Sequence, residues 1–438
     1  PLLETTSAST GQVVDARRVS DLPISHGEPY ALMATTTGAA FTGDPALDRP
    51  FEPSHIANYA MGGARGLRNE LTLDGAPAGA STANPREVSA SFVPPVDILA
   101  EMKIQTSTID ASVGQTEGGS VSLSLKSGTN SLHGTVYYNK LAPELNANLF
   151  FANRNGQPIV DFDYNRWGVS ATGPVLIPKL YNGKNRTFYM YGYEGIIETR
   201  PRGSVLTVPT EEQRTGNLSG LLKVGSNYQI YDPLTRRVEG SRYRTDPIAG
   251  NIIPASRVSP IATNILKYYA KPNVAGTADG GNNLSQPNLP EQARYYSHTW
   301  RLDHNFTERW RTFGRFSWYN RQSNYSDHFG NISTGEWFAF HSINAAFDHV
   351  YTINPTTVMN LRYGYNRFIR DQNRNPLGKG FDLTSLGFPK SWNDAIPPDI
   401  RRFPNINLAG YYATNGTVSW RPQDTHQYSL AFDKILGA

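Results

Sequence analysis

Tyr296-Ser297-His298-Thr299-Trp300-Arg301-Leu302-Asp303-His304-Asn305-Phe306 alternates without a break. The even positions carry Tyr, His, Trp, Leu, His and Phe. The odd positions carry Ser, Thr, Arg, Asp and Asn. Successive side chains of an extended chain point to opposite faces, so this run reads as a strand with one aromatic face and one polar face. Its length is close to the roughly ten residues a tilted strand needs to cross a bilayer.

The same texture recurs on both sides. In Trp310 to Asn320, Trp310, Phe316 and Trp318 oppose Arg311, Arg315 and Ser317, while Phe313 and Tyr319 break the pattern. In 341–353, Ile343, Ala345, Phe347, Tyr351 and Ile353 oppose Ser342, Asn344, Asp348 and Thr352. In 356–370, Met359, Leu361, Tyr363, Tyr365 and Ile369 oppose Asn360, Arg362, Asn366 and Arg370. Tyr428, Leu430 and Phe432 oppose Gln427, Ser429 and Asp433 within 425–437. Weaker strands are expected at 133–140, 163–172 and 186–197. The connections alternate in length. Thr307-Glu308-Arg309 and Asn354-Pro355 are very short, and 173–185 falls on the same side; 141–162, 198–293, 322–340 and 371–424 are long. Short inner turns and long outer loops are the pattern of an outer-membrane barrel. Ser204 to Val208 is also strand-like; parity places it inside the long loop 198–293.

Composition narrows the class. The chain has 438 residues, no Cys, 39 Gly, 24 Tyr, 38% hydrophobic residues and a net charge of +4. Without Cys there is no disulfide framework, thiolate nucleophile or Cys-ligated metal site. No run approaches the ~20 apolar residues of a membrane helix. No basic run points to nucleic acid. What remains is a secreted β-protein or an outer-membrane barrel, whose alternating spans escape hydropathy scans. Pro1 in first place and a strand-like run ending at Ala438 give the expectation of an excerpt from a longer protein.

Residues 1–130 differ, being poor in Trp and Tyr and rich in Ala, Ser, Thr and Gly. Gly11 to Val14 reads as a strand and Asp15 to Val19 as a helical turn led by Asp15. Leu71-Thr72-Leu73 reads as a strand ending in an Asp74-Gly75 turn. Val96 to Ile104 begins as a helix and ends as a strand, and Gly118 to Lys126 alternates as a half-buried strand. This is a small α+β unit.

Within it, Gly63-Ala64-Arg65-Gly66-Leu67-Arg68-Asn69-Glu70-Leu71-Thr72-Leu73-Asp74-Gly75 resembles the plug of TonB-dependent outer-membrane receptors, and Lys126 to Gly134 is similar to the plug-to-barrel junction. Leu22-Pro23-Ile24, Gly173-Pro174-Val175-Leu176-Ile177-Pro178-Lys179-Leu180-Tyr181-Asn182-Gly183, Thr187-Phe188-Tyr189 with Tyr193-Glu194-Gly195, Val208-Pro209-Thr210 with Gly216-Asn217-Leu218-Ser219, Ile253 to Pro260 and Arg301 to Phe306 resemble the Oar-like subgroup. The resemblance implies an α+β plug domain (1–130) followed by an antiparallel transmembrane β-barrel (131–438), here about the first eight strands of a barrel of about 22. It implies a receptor in the outer membrane of a Gram-negative-type bacterium that imports a substrate with energy from the TonB complex. The TonB box would precede Pro1. Partners are TonB, outer-membrane lipid and a substrate that is a siderophore, an oligosaccharide, a peptide or a protein, with no nucleic acid. The alternative is a secreted β-rich adhesin or carbohydrate-binding protein.

No enzyme, cofactor or metal site is expected. His298 and His304 lie six residues, or about 20 Å, apart along one strand, too far to share a metal. No His-Glu-x-x-His, Gly-x-Ser-x-Gly or Walker pattern occurs. The plug motif Arg65, Gly66, Arg68, Asp74 and Gly75 is the candidate structural or substrate-facing set. Arg65 either meets substrate or anchors the plug on a wall carboxylate, and Asp74-Gly75 reads as a turn rather than an acid catalyst. Asp161 and Asp163 read as solvated loop charges. Trp392, Tyr411 and Tyr412 are the candidate external-loop contacts. Strand aromatics read as lipid-facing girdles rather than sugar platforms.

Overall fold

The computed structural model describes residues 10–22, 24, 27–43, 52, 56–81, 87–107, 116–145, 147–148, 150–154, 156, 158–159, 161–414 and 418–436. Pro23, Pro1 and Ala438, named above, lie outside them. Eight strands form one continuous antiparallel sheet in sequence order. They are β1 (His133–Leu141), β2 (Asp163–Pro174), β3 (Thr187–Leu206), β4 (Leu284–Thr307), β5 (Trp310–Tyr325), β6 (Glu336–Asn354), β7 (Thr357–Arg374) and β8 (Ser419–Lys434). Each pairs with its successor, as chain-adjacent hairpins do.

The strands run longer than alternation alone predicts. β3 extends through Leu206, so Ser204 to Leu206 continue the strand beyond a register shift instead of lying in a loop. β4 starts at Leu284 and β8 at Ser419. The connections expected at 198–293 and 371–424 therefore shorten to 207–283 and 375–418, and parity is unchanged. Two causes hid the extensions. Pro201 faces Pro290 across β3 and β4, and proline reads as a breaker. Beyond a bilayer both faces of a strand are wet, so period-two contrast fades.

Five strands of the N-terminal region form a second sheet, ordered Thr10–Asp15, Leu99–Ser107, Ser120–Leu125, Glu70–Leu73, Ala76–Pro77. Ser120–Leu125 and Glu70–Leu73 run parallel and the other pairs antiparallel. Asp15 caps the helix Ala16–Asp21 by accepting the Arg18 N–H at 2.9 Å. Val96–Ile98 is one 3-10 turn leading into Leu99–Ser107.

The large sheet is inverted relative to a soluble one. Its polar face is covered by the N-terminal unit: Arg315 is 3% exposed, and Thr299 and Ser317 are fully buried. On the other face Trp300, Leu302 and Phe316 are 43–51% exposed. The two residues that break the alternation have a reason to do so. Tyr319 lies on the covered face against Phe92 (centroids 6.0 Å) and Tyr295 (5.4 Å), and Phe313 lies under the Arg301 guanidinium at 4.0 Å. Through Tyr295, Tyr319, Phe340 and Phe368 the wall shares one apolar core with Phe92, Val93 and Ile98 of the N-terminal unit.

Candidate functional site

The contact between unit and wall centres on one hairpin. Glu70–Leu73 and Ala76–Pro77 are joined by Asp74 (φ 50°) and Gly75 (φ 74°), both left-handed as a two-residue turn of this kind requires. The turn puts the Asp74 carboxylate, 4% exposed, between two wall cations. Arg301 Nη1 lies 3.2 Å from Oδ1 and Arg315 Nε 3.0 Å from Oδ2. The Leu125 N–H donates to Oδ1 at 2.9 Å. Arg315 also donates to Leu73 O (3.0 Å), Asn344 Oδ1 (2.6 Å) and Ser317 Oγ (2.9 Å).

Farther along, Asn344 donates to Pro77 O (2.6 Å), Asn366 to Gly79 O (3.2 Å), and Ser91 Oγ to Asn366 Oδ1 (2.8 Å). Ser81 N donates to Gln423 Oε1 at 2.8 Å. One short hairpin and the residues after it thus engage side chains from β4 to β8. Two glycines permit the close approach. A Cβ at Gly75 would stand 1.8 Å from Arg362 Nη1, and one at Gly364 2.9 Å from Ala76 Cβ. Two further clamps flank the hairpin. Glu52 pairs with Arg321 at 2.6 Å. Arg166 pairs with Glu194 at 2.5 Å and donates to Gly27 O at 3.3 Å.

The anchoring polarity is the reverse of that considered for Arg65. In the central and Glu52 clamps the wall supplies the cations and the N-terminal unit the carboxylates. Arg65 is exposed and makes no ion pair among the described residues. Arg68 pairs with Glu117 of its own unit at 3.7 Å. Gly66 packs where a Cβ would meet Asn58 and Thr42 side-chain oxygens at 2.1 Å. Among the contacts of the described residues, those of Asp74 and Gly75 carry the motif to the seam. Sequence reasoning placed Arg301, Arg315 and Arg362 on the polar strand faces without giving them a partner.

The outer connections pack on one another. Val208, Ile265, Tyr269, Leu284, Leu386 and Phe403 form a separate apolar core. Arg214 donates to the carbonyls of Leu266 (2.6 Å), Ala270 (2.6 Å), Pro209 (3.2 Å) and Tyr269 (3.3 Å). Tyr412 belongs to this packing: its N–H donates to Thr207 O at 2.9 Å and its ring meets His328 edge-on at 4.7 Å. Tyr411 is half-buried beside it. Trp392 is 59% exposed, stacked on Phe388 at 5.7 Å. Asp163 pairs with Lys140 at 3.4 Å.

His328 makes this cap sensitive to acid. Its Nδ1 lies 2.8 Å from Gln286 Oε1. Burial, then the charge of Arg202, holds its imidazole below the ordinary histidine value. The unfolded cap therefore takes up the proton first, so the stabilisation from neutral His328 is present above pH ~6.5 and lost below it. Burial raises Asp327 and Glu336, which act with the opposite sign. Acidification from pH 7 to 5 should speed limited proteolysis within 326–335 in the wild type, and less so in H328Q.

A sheet with a polar face packed on a globular unit and an aromatic face turned outward is the wall of a membrane barrel. Residues 124–438 match the family model described as outer membrane beta barrel domain, and the chain belongs to that family. Its place is the outer membrane. Among solved structures, the outer membrane transporter YddB of Escherichia coli superposes with a TM-score of 0.57 at 10% identity, over 96% of this chain and 45% of that one. A mutant of the ferric enterobactin receptor PfeA of Pseudomonas aeruginosa gives 0.43 at 11% identity, covering 83% and 41%. The ferric preacinetobactin receptor BauA of Acinetobacter baumannii gives 0.43 at 9%, covering 97% and 55%. The chain thus spans less than half the length of YddB. No curated protein matches the sequence.

The outward aromatics fall in two belts. Near the short turns Phe306 stacks on Trp310 at 4.4 Å, with Tyr351 edge-on at 6.3 Å. Higher up, His298 is flanked by Tyr193 (4.9 Å), Trp300 (5.3 Å) and Trp318 (5.6 Å). From His298 to Phe306 is about 26 Å along the strand, or about 19 Å of depth at a ~45° tilt, near the ~25 Å apolar band of such barrels.

Proposed function

We propose that this protein is a TonB-dependent outer-membrane receptor of the Oar-like type, in which residues 1–130 are a plug and the eight strands are part of its barrel wall. The observation that carries the reading is Asp74 held between Arg301 and Arg315. The seam joins this clamp to the apolar patch that Phe92 shares with Tyr319, so docking is held by directional polar contacts as well as by packing. The outer loops and the plug apex would capture substrate, and a pull transmitted by TonB would rearrange the plug to open a path. No covalent step is needed. A wall of about 22 strands belongs to the same proposal, because eight strands enclose little more than their own side chains. The likeness to YddB supports the fold of this reading.

The Cys-free chain offers a test that needs no known substrate. Ser91 Oγ and Asn366 Oδ1 are 2.8 Å apart, one on the plug and one on the wall. In S91C/N366C the disulfide should form readily in de-energised cells or in cells lacking TonB. Its yield should fall in energised cells with TonB. Equal yields in all states would contradict TonB-driven movement of the plug.

A further inference from the structure

The first of the three short turns is built differently from the other two. β4 and β5 are joined by 308–309, and β6 and β7 by 355–356, whereas β2 and β3 are joined by 175–186. Within that connection Leu176–Ile177 pairs antiparallel with Tyr181–Asn182 as a small hairpin. Its base is tied to the wall. The Val175 N–H donates to Thr187 O at 2.9 Å, and the Thr187 N–H donates to Gly183 O at 2.7 Å.

The hairpin leans to the lipid side of the wall. Thr187 stands directly opposite His304, on the outward face and two residues from Phe306. Tyr181 Oη lies 2.5 Å from Thr187 Oγ1, which lies 2.7 Å from His304 Nδ1. His304 in turn meets Phe306 edge-on at 4.5 Å. Side chain by side chain, the hairpin is joined to the aromatic belt near the short turns.

Its tip is amphipathic. Leu176, Ile177 and Leu180 are 47–80% exposed. Lys179, Lys184 and Arg186 are exposed beside them. No Asp or Glu occurs between Gly173 and Thr187, and none of the three cations makes an ion pair among the described residues. Lys179 holds φ 63°, a left-handed conformation that a long side chain resists. In water this tip would forfeit the burial of three apolar side chains. At a membrane interface the same side chains enter the acyl boundary, while Lys and Arg stay at the headgroups. A protein partner would also suit an apolar tip, but it gives no reason for the lean onto the lipid-facing wall.

We propose that the turn 175–186 is an interfacial anchor for the periplasmic leaflet. Leu176, Ile177 and Leu180 enter the acyl boundary, and Lys179, Lys184 and Arg186 hold the phosphate of an anionic phospholipid. The inference rests on the wall facing lipid, and it is independent of TonB and of the imported substrate.

The test places bimane at L180C in the full chain, reconstituted in phosphatidylcholine vesicles with a fixed minor fraction of brominated lipid. The brominated lipid is either phosphatidylglycerol or phosphatidylcholine. Both should quench position 180, and brominated phosphatidylglycerol several-fold more strongly, since each Lys or Arg near the surface favours an anionic lipid several-fold. K179Q/K184Q/R186Q in the same background should lose that preference, and rising salt should shrink it. No quenching at 180 would put the hairpin in water, open to a periplasmic protein. Equal quenching by the two lipids, or an unchanged preference in the triple variant, would remove the headgroup contact. Any of these results overturns the anchor. Bimane at L302C in the same vesicles reports separately on the wall: quenching there without quenching at 180 leaves the wall and the receptor reading standing while the anchor falls.

Discussion

D74N should release the N-terminal unit from the wall. The substitution keeps the side-chain size and an oxygen to accept the Leu125 N–H, and removes only the charge. Arg315 would remain fully buried without its carboxylate, while Arg301 keeps Asp303 at 2.9 Å. Breaking a buried pair from one side costs about 3–5 kcal/mol, because the remaining charge stays desolvated. The burial is deep enough that solvent screening gives little relief. Proteolysis of the N-terminal unit against urea concentration should shift to markedly lower urea. D74L/R315M, which removes charge from both sides, should recover part of the loss, since an apolar pair of similar volume often replaces a buried ion pair without penalty. Wild-type resistance in D74N would mean that the hairpin is held by packing alone.

L302R is the second large effect. Leu302 lies between the two aromatic belts, four residues from His298 and from Phe306, and is 51% exposed on the outward face. On the surface of a soluble sheet such a half-exposed position tolerates a charge within about 0.5 kcal/mol. At mid-depth in a bilayer an outward arginine costs about 2–4 kcal/mol. Equilibrium refolding from urea into lipid vesicles should show the larger value for L302R and a smaller change for L302A. A near-zero cost would remove Leu302 from the lipid.

The wall was legible in the sequence because a barrel writes its two solvents into alternate residues. Trp300 and Leu302 against Thr299 and Arg301 give both the strand and its faces. Which face looks inward needed the fold, since a soluble sandwich uses the same alternation with the opposite burial. Asp74-Gly75 was legible as a turn for the φ > 0 reason. Its ionic role was not, because Arg301 and Arg315 lie more than two hundred residues away and nothing local pairs them. The packing of Tyr412 was not legible either. Its partners, Thr207 and His328, come from two other connections. The reversed sign of the central clamp has the same cause: the alternation marked the wall arginines, and only three-dimensional contact assigns them carboxylates.

A membrane wall must turn its aromatic face, and not its polar one, to lipid. Single cysteines in this Cys-free chain, labelled with bimane in reconstituted membranes and challenged with brominated lipid, report that directly. Positions 316 and 430 carry outward Phe316 and Leu430, exposed at 44% and 60%, and should be strongly quenched. Positions 311 and 427, on the opposite face by register, should be quenched little and remain open to iodide. Equal quenching at all four positions, or stronger quenching at 311 and 427, would contradict a wall that buries its polar face against the N-terminal unit.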